Sequence, residues 1–183
     1  EVETLPCGLV SVMGGKWTTC RPMALDTLAA VERQLGQPLP SPKALALLGS
    51  GATPTATRNE LAAQKNQLDT LLPNTSQRSA QIEHLQGSHG LQAVPLIAAC
   101  APEKRAPLSD VIPLCEAEIS HAIQAEQARS STDVLARRCR LAMVDFAEAQ
   151  RLEPLTETYL AQSGLVSAST ATSTSPMSHQ LNP

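Results

Sequence analysis

The apolar residues between positions 114 and 149 recur at the spacing of an α-helix. The first run, from 114 to 129, follows Pro113 and places one apolar stripe on a helix: Cys115, Ile119, Ala122 and Ile123. After Thr132, a candidate N-cap, a second series steps by four, three, four and three residues: Leu135, Cys139, Ala142, Phe146 and Ala149. Such a seam is typical of two packed helices. We therefore expect this helix pair to form the core of a helical domain.

The scarcity of aromatic residues supports the same fold class. Trp17, Phe146 and Tyr159 make up the whole aromatic content of 183 residues, of which 42 % are hydrophobic. A core of this chain must then consist of Leu, Ala, Val and Ile, which favours close-packed helices over a β-sandwich. We expect a mainly α protein, with about five to six helices in its C-terminal domain.

Charge and cysteine usage exclude several function classes. The net charge of −3 and the absence of a basic block argue against nucleic acid as a partner. The longest apolar interval, 93–101, is too short for a membrane span. Five cysteines without a Cys-x-x-Cys pair fit reduced thiols. The four histidines never occur at metal-ligand spacing, so we predict no metal site and assign no catalytic role to them: His84, His89, His121 and His179.

The N-terminal part indicates a strand, a tight turn and a helix. Residues 7–13 are rich in β-formers, Gly14 and Gly15 interrupt them, and a helical pattern runs from 19 to Gly36. Prolines and glycines crowd the next stretch, so 37–57 is interpreted as a linker. A capping-box pattern at Thr57 and Glu60 then predicts that the helical domain, 58–165, begins there.

Within that domain, glycine and proline set the remaining expectations. We expect short helices at 76–86, stopped by Gly87, and at 91–101. Pro154 is expected to separate a last short helix that ends at Gly164. The tail, 166–183, consists mainly of Ser, Thr, Ala and Pro, which predicts disorder.

The segment from Gly14 to Arg21, Gly-Gly-Lys-Trp-Thr-Thr-Cys-Arg, is the most informative motif. Two glycines at a strand-to-helix junction allow a ligand to approach backbone N–H groups, and a helix N-terminus adds positive potential. The segment is neither a Walker loop nor Gly-x-Gly-x-x-Gly. On these grounds alone, an ordinary connection capped by Thr18 or Thr19 is an equally good interpretation.

This motif, with Met23-Ala24 and Asp26, resembles a segment of the FAD-dependent glycerol-3-phosphate dehydrogenases, which are quinone-linked membrane enzymes. Two stretches downstream, 115–119 and 132–142, are similar to the helical C-terminal domain of that family. The resemblance extends over about residues 8–163, with Cys20 where the family usually has tyrosine. It implies that 1–36 is the end of an FAD-binding domain.

The resemblance also implies roles for individual residues. The flavin would lie over the turn, beside five residues: Gly14, Gly15, Lys16, Trp17 and Thr18. Lys16 would also bind the phosphate of glycerol 3-phosphate. No catalytic base is assigned. The chain shows no Gly-rich dinucleotide-binding turn, so we expect it to be inactive by itself.

For the complete enzyme the resemblance implies oxidation of sn-glycerol 3-phosphate to dihydroxyacetone phosphate, with electrons passed through FAD to quinone. It implies peripheral attachment to the mitochondrial inner membrane, or to the bacterial plasma membrane, and a possible homodimer. Two alternatives remain open: a free-standing helical interaction module, and part of a glycerol-3-phosphate oxidase that uses oxygen. The arginines near 137 are interpreted as structural, with Asp133 and Arg137 spaced for an ion pair.

Overall fold

A computed structural model describes residues 1–41 and 45–164. The expectation of a mainly α protein is confirmed: the described residues contain seven α-helices and a two-stranded antiparallel sheet. The chain forms two compact units, Glu1–Leu45 and a second that begins at Ala46. None of the described helices has both the length and the apolar character needed to cross a bilayer. The tail 166–183, predicted to be disordered, lies outside the described residues.

The first unit is a β-hairpin followed by a helix. Strands β1 (Val2–Thr4) and β2 (Val10–Val12) pair antiparallel. The strand expected over 7–13 is therefore shorter, because residues 5–9 form the hairpin turn, in which Gly8 N donates to Leu5 O at 2.9 Å. A 3-10 turn, Trp17–Thr19, leads into α1 (Cys20–Leu35), which ends as expected at a left-handed Gly36 with φ 67°.

The first half of the second unit consists of α2 (Pro54–Leu71), α3 (Arg78–His89) and α4 (Ala93–Ala98), with a 3-10 turn over Gly90–Gln92. These helices enclose one apolar cluster together with the start of the next helix: Leu68, Leu72, Ile82, Leu85, Ala93, Ile97, Cys115 and Ala117. All eight residues are buried.

Two predicted boundaries in this half are wrong. Helix α2 starts at Pro54, inside the expected linker, because Thr53 caps it and accepts from Ala56 N at 3.1 Å. Thr57, the predicted cap, lies within the helix, and its hydroxyl accepts from Gly51 N at 2.9 Å. Helix α3 passes through Gly87, and it ends at His89, before Gly90 with φ 55°.

The second half begins with a 3-10 turn, Pro102–Arg105, and α5 (Glu116–Gln124). A π-helical turn (Asp133–Arg138), α6 (Leu141–Val144) and α7 (Phe146–Gln162) follow. Their second apolar cluster is larger than the first: Leu114, Ile119, Ala122, Ile123, Ala128, Val134, Leu135, Leu141, Ala142, Ala149, Leu152 and Leu160.

The predicted helix after Thr132 is broken twice. Arg140 adopts a left-handed conformation with φ 61°, and Asp145 is extended and caps α7 by accepting from Glu148 N at 2.9 Å. The predicted seam still faces the core: Leu135, Ala142 and Ala149 are buried. Apolar spacing identified the buried side of this stretch, and the polar cap at Asp145 decided where the backbone turns.

Two further helix ends differ from expectation. Helix α5 ends at Gln124 instead of continuing to 129, because Gln127, with φ 62°, turns the chain back and Ala128 N donates to Ala122 O at 2.9 Å. Pro154 lies inside α7 and does not precede a separate helix. Buried residues on both sides of it, Leu152 and Leu160, continue one face, and their burial outweighs the hydrogen bond that proline omits.

Candidate functional site

The Gly-Gly-Lys turn connects β2 to the 3-10 turn before α1. Gly14 and Gly15 have φ values of 75° and 113°, a region that disfavours every residue except glycine. The Met23 thioether lies directly under Gly15, where a Cβ in place of the glycine hydrogen would collide with Met23 Sδ. The two glycines therefore leave the turn backbone uncovered on its outer side.

Thr19 fixes the entry into the helix. Its hydroxyl accepts from Lys16 N at 3.1 Å and donates to Lys16 O at 3.0 Å, while Thr19 N also donates to Lys16 O. Thr19 occupies the N-cap position of α1, as expected, but its side chain makes no capping bond to that helix and instead holds the backbone of Lys16 at the start of the 3-10 turn. The amides of Trp17 and Thr18 are the first of the turn, where N–H groups have no partner inside a helix.

Four of the five predicted flavin-side residues, all except Thr18, line one open groove of about 370 Å³, which residues of β2 and α1 also border. The groove is lined by Val12, Gly14, Gly15, Lys16, Trp17, Cys20, Met23, Ala24 and Thr27, and Thr18 lies between two of these residues in the chain. Trp17 is 92 % exposed, so its indole covers no part of the first unit. Uncovered backbone, outward amides, an ammonium group and an aromatic ring are suited to a flat ligand that carries negative charge.

A second polar centre, which the sequence did not predict, lies between α3 and α5. Glu118 is buried, and its Oε1 accepts from His84 Nε2 at 2.8 Å and contacts His89 Nε2 at 3.1 Å. Its Oε2 accepts from Cys115 N at 2.9 Å. Burial raises the pKa of this carboxyl, but the hydrogen bonds and charges of the two histidines outweigh burial and hold the pKa at about 2.

One sequence signal for this centre was available. Cys115 and Glu118 have the spacing of a capping box, with cysteine at the position that serine or threonine normally occupies. The histidine partners come from another helix, so no spacing along the chain indicates them. No spacing along the chain indicates the contact between His89 and His121 either. Their rings pack edge-to-face with centroids 5.5 Å apart. His179 lies outside the described residues.

The arginines near 137 pair with carboxylates. Arg137 Nη1 lies 2.5 Å from Asp133 Oδ1, which confirms the expected i, i+4 ion pair. Arg138 Nε lies 3.1 Å from Glu126 Oε2. These contacts support the structural interpretation of both residues.

Comparison with known proteins now adds to this geometry. The sequence profile of one family, the C-terminal domain of alpha-glycerophosphate oxidase, matches residues 42–166. The chain belongs to this family. The match covers the helical second unit and begins after the Gly-Gly-Lys turn.

Several curated relatives are glycerol-3-phosphate dehydrogenases. The chain is 34 % identical to the mitochondrial enzyme of Arabidopsis thaliana over 157 residues, 79 % of this chain and 24 % of the relative. It is 31 % identical to the human mitochondrial enzyme over 84 % of this chain and 21 % of the relative. The Mycobacterium leprae enzyme is 31 % identical over 74 % of this chain and 23 % of the relative.

The family member described here thus spans less than a quarter of the length of these relatives. No solved structure matches the chain. The resemblance inferred from the sequence is confirmed at the level of the family, which is one of oxidoreductases.

Proposed function

We propose that this chain is the C-terminal part of an FAD-dependent glycerol-3-phosphate dehydrogenase. The complete enzyme oxidises sn-glycerol 3-phosphate to dihydroxyacetone phosphate and passes the electrons through FAD to a quinone. The observation that carries the proposal is the uncovered Gly14-Gly15 backbone beside Lys16, in a chain whose second unit belongs to the family. The names of the relatives support the substrate, and several of them support a mitochondrial location.

The residues present fit one side of a bound flavin. Gly14 and Gly15 have positive φ values and no side chain over their backbone, and Trp17 and Thr18 carry the first amides of a helical turn, which have no partner within it. Bound FAD supplies the capacity to accept a hydride from carbon. These amides would stabilise the negative charge that a bound flavin gains, because their dipoles are already oriented before the reaction.

Lys16 has the second role in the proposal. Lys16 lines the same groove, and Thr19 fixes its backbone at both N and O. A compact positive charge binds the phosphate of glycerol 3-phosphate and orients the substrate carbon toward the flavin. Lys16 is thus a binding residue, and no catalytic base is assigned in this chain.

The remaining parts of the proposal concern the complete protein. The 183-residue chain alone is expected to be inactive, because the dinucleotide-binding Gly-rich turn of such enzymes does not occur in it. Peripheral attachment to the mitochondrial inner membrane, or to a bacterial plasma membrane, and a homodimer belong to the same proposal.

The test uses the complete enzyme with Lys16→Ala. We expect KM for glycerol 3-phosphate to rise at least about tenfold with little change in kcat, because a binding contact common to ground state and transition state is lost. Lys65→Ala, a lysine in α2 far along the chain, is the matched control and is expected to leave KM unchanged. Unchanged kinetics in Lys16→Ala would refute the role of Lys16.

The cofactor and substrate are tested by anaerobic absorption spectra of the complete enzyme. A flavin band that bleaches when glycerol 3-phosphate is added supports the proposal. A colourless protein, or a band that glycerol 3-phosphate does not change, contradicts it and favours the interaction module.

A second candidate electron acceptor is oxygen, because the matching family is described as a domain of an oxidase. In that case oxygen takes two electrons and two protons and leaves as hydrogen peroxide. Peroxide formed in proportion to dihydroxyacetone phosphate would identify the oxidase. Turnover with a quinone and no peroxide would identify the dehydrogenase.

A further inference from the structure

Three potential metal ligands converge where α3 ends beside α5. His89 is the last residue of α3, His121 lies in α5, and Glu126 follows the end of α5 by two residues. One ligand atom from each residue lies within 4.8 Å of the other two. Two imidazoles and a carboxylate form a donor set that zinc and related divalent ions prefer.

The backbone brings Glu126 back toward His121. Gln127 has φ 62° and reverses the chain, and Glu126 N donates to His121 O at 3.3 Å. Arg138 then fixes the carboxylate from the far side, since its Nε lies 3.1 Å from Glu126 Oε2 and its Nη2 donates to Glu126 O at 2.6 Å. Oε1 of the same carboxylate therefore faces the histidines.

The distances within the group leave room for an ion. His121 Nε2 and Glu126 Oε1 are 3.9 Å apart, too far for a hydrogen bond. In a tetrahedral zinc site with bonds of about 2.0 Å, neighbouring ligand atoms are about 3.3 Å apart. The long side chain of Glu126, 37 % exposed, reaches that separation by a rotamer adjustment.

A buried carboxylate supports the group from behind. His89 Nε2 lies 3.1 Å from Glu118 Oε1, and Glu118 is itself held by His84 and by Cys115 N. A metal-ligating histidine nearly always donates its other ring N–H to such a carboxylate or to a carbonyl or water, which fixes the tautomer and raises the basicity of the ligating nitrogen. Because Nε2 of His89 is engaged in this way, Nδ1 is the nitrogen left to ligate.

We propose that His89, His121 and Glu126 bind one divalent transition-metal ion of the zinc class, with Glu118 and Arg138 orienting the ligands. The side chains of His89 and His121 are 13 % and 31 % exposed, so the fourth position opens to solvent and takes water. The ion joins the end of α3 to the end of α5. This site lies in the second unit and does not depend on the flavin-side turn.

The direct test is titration of the chelator-treated 183-residue chain with Zn²⁺ by calorimetry, and with Co²⁺ followed by visible absorption. We expect one equivalent to bind, with d–d bands of tetrahedral or five-coordinate Co²⁺ and a higher melting temperature at saturation. Failure of the native chain to bind either ion overturns the proposal without any variant.

Variants then locate the ion. Glu126→Gln keeps the size of a partly exposed side chain and removes the charged ligand, and His121→Phe keeps a ring and removes both nitrogens. We expect binding at least about tenfold weaker in each. Glu83→Gln is the matched control: Glu83 is an exposed carboxylate on α3 that is not one of the three ligands, so binding is expected to persist.

Two outcomes of these measurements would overturn the proposal. One is equal affinity of the native chain, Glu126→Gln and His121→Phe. The other is a thiolate-to-Co²⁺ charge-transfer band in the near ultraviolet, which would assign the ion to a cysteine such as the exposed Cys7 or Cys20. Circular dichroism of each variant checks that it is folded. If His121→Phe does not fold, Glu126→Gln alone decides the question.

Discussion

The two units of the chain bury their apolar residues very differently. Of residues 1–41, Ala30 alone is buried, while seven large apolar side chains remain exposed by more than a third: Leu9, Val12, Met13, Trp17, Leu25, Leu28 and Leu35. The second unit encloses two apolar clusters whose central leucines and isoleucines have 0–2 % exposure. The second unit thus has the core of an independent domain, and the first unit does not.

This contrast explains how each unit obtains its structure. In the first, local hydrogen bonds fix the conformation, such as those between Thr19 and Lys16 and the hairpin pairs from Val2 to Val12. In the second, distant residues meet and remove apolar surface from water, which is the larger source of stability. Hence substitutions in the second unit should shift the main unfolding transition, and equivalent substitutions in the first should not.

The largest expected effect comes from the core of the second unit. Leu135→Ala removes a side chain with 0 % exposure and should lower the free energy of unfolding by about 3 kcal/mol or more, because a cavity adds to the lost transfer energy. Leu28→Ala on α1, 38 % exposed, is the matched control and should change it by less than about 1 kcal/mol. Urea denaturation of both variants measures the difference. Equal losses would mean that the first unit shares the core.

Glu118 gives the next effect, and its size depends on pH. Its folded pKa of about 2 lies below the ordinary value of 4.5, so its contribution is present above about pH 5 and is lost as pH falls through 4.5 toward 2. Glu118→Gln should cost about 2 kcal/mol at neutral pH, since a buried charged acceptor of hydrogen bonds from His84 and Cys115 N is replaced.

Urea denaturation of the native protein and of Glu118→Gln, from about pH 7 to about pH 3, checks this prediction. The difference between their unfolding midpoints should become smaller as the solution becomes acidic. Glu83→Gln, an exposed carboxyl on α3, is the control and should keep a constant gap. A gap for Glu118→Gln that widens in acid would contradict the proposed charge state.

The Glu118 centre also shows what the sequence does and does not predict. The mainly α fold and the buried side of 135–149 follow from apolar spacing, because burial of one face is a local property of a helix. The helix breaks at Arg140 and Asp145 do not follow from this spacing. The apolar seam continues across both positions, and the polar cap at Asp145 is what ends one helix and starts the next. The histidines around Glu118 were missed because they come from a helix that is distant in the sequence.

The candidate flavin site behaves in the opposite way. Its five residues, 14–18, are consecutive, so the sequence places them together before any fold is known. Their arrangement in detail still needed the structure: Thr19 holds Lys16 from the end of the turn, and Met23 lies under Gly15. Contiguous sites are thus visible in a sequence, whereas a site like that of His89, His121 and Glu126 requires tertiary structure.

Two glycines with positive φ give the third contrast. In the second unit, a Cβ on Gly90 would collide with the backbone oxygen of Gly49, which has no freedom to move away. Gly90→Ala should therefore cost about 2 kcal/mol, from strain at φ 55° and from the clash. In the first unit, a Cβ on Gly15 would meet the flexible end of Met23. The backbone at φ 113° is strained by alanine too, but this strain lies in a unit without an extensive core, so Gly15→Ala should barely change the main transition.

Thermal unfolding followed by far-ultraviolet circular dichroism measures both glycine variants. A loss for Gly15→Ala as large as that for Gly90→Ala would show that the turn is coupled to the core. In the complete enzyme, the same Gly15→Ala change should weaken flavin binding, because the Cβ displaces Met23, which also lines the groove, and strains the turn that carries the proposed site.

The smallest expected effect compares two threonines whose hydroxyls each accept one backbone hydrogen bond near the start of a helical segment. Thr53 caps α2 by accepting from Ala56 N at 3.1 Å, and Thr19 accepts from Lys16 N at 3.1 Å. Thr53→Ala should cost about 1 kcal/mol, because α2 is part of the core and loses its only side-chain cap among the contacts described for its N-terminus. Thr19→Ala should leave the main transition within about 0.5 kcal/mol of the native value, since no core depends on the turn. Because the hydrogen bonds match, any difference between these variants measures how strongly each helix is coupled to buried structure. Equal losses of stability in Thr53→Ala and Thr19→Ala would contradict the view that the second unit is stabilised by its own core and the first is not.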